Sequence, residues 1–185
     1  MLQIRIHGRG GQGAKSTSQF IAETAIKKGK EIQAFPEYGP ERSGAPVASF
    51  VRIDDKKIRT HESILNPDIV IVLDETLMQS INVVSGLNNN GILMINTEKS
   101  KEEIQKEILD FDGSIYIIPA TKISLEQMGQ NKPNTAMLGA LCRLTNLIDI
   151  ETMKEIVKGK FENKIGAENT KANLKALEIG YKSMI

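Results

Sequence analysis

The segment IRIHGRGGQG, residues Ile4–Gly13, is the feature that most constrains the fold of this chain. An apolar strand pattern breaks there into a turn with four glycines, Gly8, Gly10, Gly11 and Gly13, and a helical pattern follows. Glycine lets the backbone turn sharply and lie close to a ligand or to a neighbouring element. The spacing matches the G-x-G-x-x-G fingerprint, in which backbone N–H groups and the start of a helix hold a phosphate. We therefore expect a strand, a phosphate-binding loop and a helix, in that order.

A second interpretation of the same glycines is that they only allow the helix to pack closely on the sheet. One face of the following helical pattern carries mostly small residues, namely Ala14, Ser18, Ile21, Ala22, Ala25 and Ile26. A helix with such a face can lie near a sheet. The sequence is compatible with either duty, and we expect the loop to serve both.

Length and charge limit the classes of protein that this chain can represent. At 185 residues it is long enough for one well-buried domain, so we expect residues 1–185 to form a single domain. The 24 basic and 23 acidic residues nearly cancel, which argues against a broad nucleic-acid or membrane-binding surface. No apolar run approaches a membrane span, and Met1–Ile4 leads directly into a strand. We expect a cytoplasmic protein.

The supply of metal-binding side chains is small. The only cysteine, Cys142, lies in an apolar helical pattern, where a free thiol behaves as a small buried hydrophobe. An iron–sulfur cluster typically needs about four thiolates, and two histidines do not build a convincing metal site. No metal is therefore assigned to this chain, and any redox metal is expected on another chain.

Alternating strand and helix patterns predict an α/β fold, a Rossmann-like three-layer sandwich with a mostly parallel sheet, one β-hairpin and a helical C-terminal region. The predicted strands are Leu2–His7, Glu31–Phe35, Ile69–Leu73, Gly91–Asn96 and Ser114–Ile118, with a hairpin of Ala48–Ile53 and Lys57–Thr60. The predicted helices are Ala14–Lys28, Glu75–Val84, Lys101–Leu109, Ser124–Met128, Thr135–Asn146, Glu151–Lys158 and Glu168–Ser183. Asp74 and Asn134 are expected to cap the helices that follow them, although Asp74 also lies where ligands bind in open sheets.

The segment PEYGPERSGAP, from Pro36 to Pro46, is the second unusual stretch. Three prolines and two glycines in eleven residues argue against regular structure. An ordered loop of this kind suits contact with a ligand or another subunit. The residues that such a loop would present are Glu37, Tyr38, Gly39, Glu41 and Arg42. The alternative is a solvated turn in which the arginine pairs locally with one of the two acids.

Taken together, these motifs resemble the gamma subunit of 2-oxoacid:ferredoxin oxidoreductases. The resemblance rests on IRIHGRGGQG (Ile4–Gly13), AFPEYGPERSGAPV (Ala34–Val47), SFVRI (Ser49–Ile53) and PDIVIVLDETL (Pro67–Leu77), in that order. Beyond residue 96 the clearest part is NTAMLGAL (Asn134–Leu141). The forms of the first two segments are most similar to the pyruvate type, with the 2-ketoisovalerate type close and the oxoglutarate type less similar.

The resemblance implies a multi-subunit enzyme that converts a 2-oxoacid and coenzyme A to an acyl-coenzyme A and CO₂. Thiamine diphosphate and 4Fe-4S clusters would lie on partner subunits of the alpha, beta and delta types, with ferredoxin or flavodoxin as the electron acceptor. This chain, inactive alone, would assist coenzyme A engagement and assembly. Gly10, Gly11, Gln12 and Gly13 would lie near a phosphate or pantetheine group, and Arg42 with Tyr38 would face them or contact the alpha type chain.

Two other functions stay open at this point. An NAD-dependent enzyme would need an acid at the end of the second strand, and neither Glu31 nor Glu37 is well placed in the predicted elements. A non-catalytic scaffold would use the same loops only for subunit contact, and would have no affinity for coenzyme A. The sequence does not choose the 2-oxoacid or the direction of the reaction.

Overall fold

The computed structural model describes residues 1–38, 44–108 and 111–184. Its six-stranded sheet has the order β2-β3-β1-β4-β5-β6. The strands are β1 (Leu2–Arg9), β2 (Glu31–Tyr38), β3 (Pro46–Asp54), β4 (Ile69–Val72), β5 (Ile92–Asn96) and β6 (Ser114–Ile118). β1, β4, β5 and β6 run parallel, whereas β3 runs antiparallel to both of its neighbours, β1 and β2. The predicted α/β fold with a mostly parallel sheet is confirmed.

Helices cover the sheet on both faces. The α-helices are α1 (Ala14–Lys27), α2 (Lys101–Glu107), α3 (Ala120–Met128), α4 (Asn134–Leu144) and α5 (Ile150–Lys182). One core joins α1, α3, α4 and α5 to alternate strand residues such as Ile4, Ile6 and Ile71. A smaller core joins the opposite face of β4, β5 and β6 to α2 and to residues 83–87. The IVIV run of β4 is buried on both faces, as expected of a central parallel strand.

The sheet contains one hairpin, as predicted, but β2 and β3 form it and not the predicted pair of segments. The whole of β2 pairs with β3, from Glu31 opposite Asp54 to Tyr38 opposite Val47. The prediction that residues 57–60 form the returning strand is wrong, since they are not in a strand. Instead, the segment after β3 crosses the polar face of the sheet, where its carbonyl groups accept hydrogen bonds from strand side chains. These donors are Arg5, Gln33 and Arg52, and the acceptors are Ile64, Thr60 and Glu62.

Pro36 does not end the second strand, contrary to the sequence-based expectation. β2 continues through it to Tyr38, with Pro36 opposite Ser49 of β3. Because β2 is an edge strand, a proline without an N–H is tolerated there. Residues 36–38 of the proline-rich segment are therefore in a strand, where the sequence predicted a loop.

The C-terminal region is helical, as predicted. The two helices expected there form one element, α5, which is broken at Gly166 by a left-handed φ of 80°. α5 begins at the cap Asp149, whose carboxylate accepts from Thr152 N at 2.9 Å and pairs with Lys28 Nζ at 2.9 Å. Among the described residues no helix is both long and apolar enough to cross a membrane.

Two of the helices expected to begin after a capping residue differ from the prediction. The segment after Asp74 is a short 3-10 helix, Glu75–Gln79, and not an α-helix reaching residue 84. Asp74 does cap it, accepting from Thr76 N at 3.0 Å. Asn134 is the first residue of α4 and not its cap, because Pro133 occupies the capping position.

Cys142 is buried in α4, and its burial raises the thiol pKa to about 12. Only the thiolate reacts rapidly with alkylating or disulfide reagents. We therefore expect the native chain to react with a thiol-specific disulfide reagent at neutral pH at least about 100-fold more slowly than the denatured chain. Spectrophotometric thiol titration with and without denaturant measures both rates. Equal rates would contradict the buried position.

Candidate functional site

The glycine loop, residues Gly8–Gly13, lies at the carboxyl edge of the parallel strands. β1 enters it and α1 leaves it, while β4 lies beside β1 and ends at the same edge. The chain continues from β1 toward β2 on one side and returns with β4 on the other. Such a switch point is where open α/β sheets bind ligands.

Backbone hydrogen bonds fix the loop and leave some donors open. The N–H of Gly10 donates to Ala45 O, and the N–H of Gln12 donates to Arg9 O, each at 3.0 Å. Within residues 1–38, 44–108 and 111–184, the N–H groups of Gly11 and Gly13 donate to no protein acceptor. Two of the four backbone N–H groups predicted to lie near a ligand are thus used internally, and the other two have no acceptor among the described residues.

Packing and loop geometry each account for some of the glycines. A Cβ on Gly8 would lie 3.3 Å from Ala14 Cβ and from Leu73 Cδ1, so this glycine permits close packing of α1 on the sheet. Gly13 has φ 88°, and a Cβ there would lie 3.0 Å from the side chain of Asn134. Gly11 has φ 95°, and no described residue lies within 4 Å of its added Cβ. Packing among the described residues therefore does not explain Gly11, whereas its positive φ does.

The start of α1 forms what we call the anion cradle. Gly13 occupies the cap position, no side chain of the described residues caps the helix, and its first turn carries no acid. A cleft of about 280 Å³ opens there, lined by Arg9, Gly10, Gly11, Gly13, Ala14, Lys15, Ser16 and Val47. Uncapped N–H groups and the positive end of the helix dipole attract anions. Two cationic side chains at the same cleft reinforce that attraction.

Asp74 connects three segments beside the cradle. Its Oδ2 accepts from Gln12 Nε2 at 2.7 Å and lies 3.3 Å from Arg9 Nε. Its Oδ1 accepts from the N–H and the hydroxyl of Thr76, at 3.0 and 2.6 Å. Arg9 also donates to Thr76 Oγ1 at 2.7 Å and to Gly44 O at 3.1 Å. We call Arg9, Gln12, Asp74 and Thr76 the Asp74 hub.

The hub keeps Asp74 ionised. Burial acts to raise the pKa of this carboxyl, but hydrogen bonds from Thr76 and Gln12 and the charge of Arg9 outweigh burial and leave the pKa below its usual value. A carboxylate, and not a carboxylic acid, therefore faces Arg9 at neutral pH. The Gln12 side chain that was predicted to face a ligand is held between Arg9 N, which donates to its Oε1 at 2.7 Å, and Asp74.

A second cleft of about 230 Å³ follows the carboxyl ends of β4, β5 and β6 on the other side of the hub. Most of the residues that line it are polar, among them Gln12, Asp74, Asn96, Thr97 and Thr121. The buried amide of Asn96 fixes this edge, because its nitrogen donates to Leu73 O and Thr121 Oγ1, each at 2.8 Å. Gln12, Asp74 and Thr76 of the hub line this cleft, whereas Arg9 of the hub lines the anion cradle, so the hub lies between the two.

The predicted residues of the proline-rich segment are only partly described. Glu37 lies in β2 with an exposed side chain, whose Oε2 accepts from Ser63 Oγ at 3.3 Å. Tyr38 is the last residue of β2, and its backbone pairs with Val47. Gly39, Glu41 and Arg42 lie outside the described residues.

The strand order also bears on the NAD alternative. Glu37 lies near the end of β2, at the edge where the glycine loop begins, although the sequence placed it beyond the strand. However, β3 lies between β2 and β1, so this acid is two strands away, about 10 Å in the sheet. The dinucleotide fingerprint has its ribose-binding acid on the strand next to the loop. The fold therefore lacks that arrangement.

Arg9, Lys15 and Thr76 were not selected from the sequence, although they line the cradle or join the hub. Arg9 stands inside the glycine motif itself, and Lys15 in the first turn after it. A cation next to a glycine-rich helix start is a signal that would have selected both. Thr76 has no comparable sequence signal, because its contact with Arg9 joins residues 67 positions apart.

These features define a Rossmann-like α/β protein with a glycine-rich loop at its switch point. The family model for pyruvate ferredoxin/flavodoxin oxidoreductase matches residues 3–183. The chain is 46% identical over 172 residues to the pyruvate/ketoisovalerate oxidoreductases common subunit gamma of Thermococcus kodakarensis, covering 93% of each. This chain therefore belongs to the pyruvate ferredoxin/flavodoxin oxidoreductase family.

Solved structures agree with this placement. The pyruvate oxidoreductase subunit PORC from Thermotoga maritima superposes with a TM-score of 0.87 at 44% identity, covering 98% of this chain and 95% of that one. The 2-oxoglutarate:ferredoxin oxidoreductase from Magnetococcus marinus, with coenzyme A bound, gives a TM-score of 0.80 at 25% identity. That match covers 99% of this chain and 31% of the longer one.

Proposed function

We propose that this chain is the gamma subunit of a pyruvate:ferredoxin oxidoreductase, and that its anion cradle holds phosphate groups of coenzyme A. The complex would convert pyruvate and coenzyme A to acetyl-coenzyme A and CO₂ while reducing ferredoxin or flavodoxin, or run the reverse synthesis. Residues 1–185 would form one domain of that complex. The family match over residues 3–183 supports the subunit assignment. The observation that carries the coenzyme A site is the uncapped start of α1, open to a cleft with Arg9 and Lys15.

The metal-binding side chains of this chain indicate which cofactors would lie on partner subunits. Its single cysteine is buried with a pKa of about 12, so its residues do not fit an iron–sulfur cluster. We therefore place the clusters and thiamine diphosphate on alpha, beta and delta type partners. Coenzyme A held by its phosphates would bring its thiol to a centre on those partners at a high effective concentration.

The oxoacid would also be chosen by other chains. The Thermococcus kodakarensis relative is named as a common subunit of pyruvate and ketoisovalerate oxidoreductases. A gamma subunit shared by two such enzymes does not by itself select the substrate. The 2-ketoisovalerate enzyme is for this reason the alternative assignment, and a panel of oxoacids on the purified complex distinguishes the two.

Charge reversal at Lys15 tests the cradle. A glutamate in the first turn of α1 interacts favourably with the helix dipole, so Lys15→Glu leaves the fold intact. The same charge repels phosphate. We expect the KM for coenzyme A in pyruvate-dependent dye reduction by the assembled complex to rise about tenfold, with kcat at saturating coenzyme A retained.

Lys101→Glu is the matched control for this variant. Lys101 is the first residue of α2 and lines a different cleft, beside the edge strand β6. Its charge reversal should leave the KM for coenzyme A unchanged. Equal KM values for Lys15→Glu and the parent complex would instead favour the scaffold alternative, in which the loops serve only subunit contact.

A further inference from the structure

We infer that Asp74 is a positioning residue for the anion cradle. Its carboxylate holds Arg9 and Gln12, and these in turn fix the glycine-loop backbone in the arrangement that leaves the Gly11 and Gly13 N–H groups open. The inference rests on the proposed function, because the ligand of the cradle is the phosphate proposed there. Asp74 itself need not touch that ligand.

The two oxygens of Asp74 have separate duties. Oδ1 caps the 3-10 helix through Thr76, whereas Oδ2 faces Gln12 Nε2 and Arg9 Nε. The other end of the Gln12 amide accepts from Arg9 N at 2.7 Å, inside the loop. The carboxylate therefore reaches the loop backbone through one side chain.

The Asp74 hub also connects the glycine loop to the residues that precede β3. Arg9 Nη1 donates to Gly44 O, and Gly10 N donates to Ala45 O, so two hydrogen bonds connect the glycine loop to the residues just before β3. Asp74, which follows β4, contacts the same guanidinium at Nε, and Thr76 Oγ1 accepts from its Nη2. A glycine-rich loop is conformationally free unless it is held. A loop fixed before the ligand arrives loses less entropy on binding.

Asp74→Asn separates the contacts of residue 74 with the glycine loop from its capping of the 3-10 helix. If its amide oxygen keeps the contact with Thr76, its amide nitrogen faces two donors, Gln12 Nε2 and Arg9 Nε. Gln12 can relieve this only by reversing its own amide, and the Arg9 N–H then loses its acceptor. The substitution thus keeps size and cap but releases the loop.

The test is the KM for coenzyme A of the assembled complex carrying Asp74→Asn. We expect the KM to rise about tenfold, because charge-assisted hydrogen bonds are lost, with kcat at saturating coenzyme A within about twofold of the parent. Amide hydrogen exchange of residues 10–16 in the same complex, without coenzyme A, should be faster. That second measurement reports loop order independently of activity.

Asp68→Asn is the matched control. Asp68 immediately precedes β4, at the opposite edge of the sheet, where its Oδ2 accepts from Gln3 N at 2.7 Å. We expect neither KM nor loop exchange to change in that variant. An unchanged KM in Asp74→Asn, alongside a raised KM in Lys15→Glu, would overturn the role of Asp74 and leave the proposed function standing. Unchanged KM values in both would overturn the two together.

Discussion

Alanine at Gly139 is expected to lower the free energy of unfolding by about 3 kcal/mol, because helices α4 and α5 touch at their backbones there. A Cβ on Gly139 would overlap the carbonyl oxygen of Leu177, and a Cβ on Gly180 would overlap that of Ala136. Backbone atoms cannot move aside as a flexible side chain can. For a chain of this size the loss corresponds to a melting temperature lower by roughly 6–12 °C. Chemical and thermal denaturation of the variant measure both quantities.

Gly159 offers a control for this substitution on α5. It lies within that helix, and an added Cβ there would meet nothing within 4 Å. Alanine is a better helix former than glycine, so Gly159→Ala should stabilise the chain by about 0.5–1 kcal/mol. The two variants make the same chemical change with opposite expected signs. A destabilisation of similar size in both would show that helix contact at Gly139 is not the cause.

The sequence predicts the parallel half of the sheet well because its central strands β4 and β5 are buried on both faces. Runs such as Ile69–Val72 and Ile92–Asn96 carry almost only apolar residues between polar turns, which is a local signal. The predicted strands and the observed ones differ by only a residue or two at their ends. Local composition is sufficient there because burial on two faces leaves little choice of residue.

The antiparallel half was predicted less well, because its pairing joins distant segments. β3 inserts between β1 and β2, and a hairpin pattern around residues 54–55 indicated a local partner instead. Polar residues make long-range contacts in the observed pairing: Arg52 donates to Gln33 Oε1 on β2 and to the carbonyl oxygen of Glu62. Such contacts are satisfied only in the assembled sheet. The sequence pattern alone does not contain them.

The candidate site shows the same division. The position of the glycine loop at the start of α1 follows from the motif, and so does the need for glycine at φ 95° and 88°. The contacts of Gln12 do not follow from it, since its side chain turns inward to Asp74, 62 residues away. Asp74 was correctly predicted as a cap, but its second oxygen joins the loop as well. A sequence motif identifies the loop, whereas the fold decides which of its groups face outward.

Alanine at Gly13 is expected to affect both folding and coenzyme A binding. An L-residue at φ 88° is strained by about 1–2 kcal/mol, and the new Cβ would lie 3.0 Å from the buried side chain of Asn134. The loop must shift to relieve this contact, and the open N–H of Gly13 and the start of α1 shift with it. We expect a loss of about 2 kcal/mol in unfolding free energy and, in the assembled complex, a KM for coenzyme A at least about tenfold higher.

Gly29→Ala separates strain from position in this experiment. Gly29 has φ 73° at the other end of α1, and an added Cβ there would meet nothing within 4 Å. It should therefore carry the backbone strain alone, about 1 kcal/mol, with an unchanged KM for coenzyme A. If the KM rises equally in the two variants, loss of stability and not loop geometry raises it. If only Gly13→Ala raises the KM, the ligand depends on the start of α1, because the two positions share the helix and the strain but differ in their distance from the cradle.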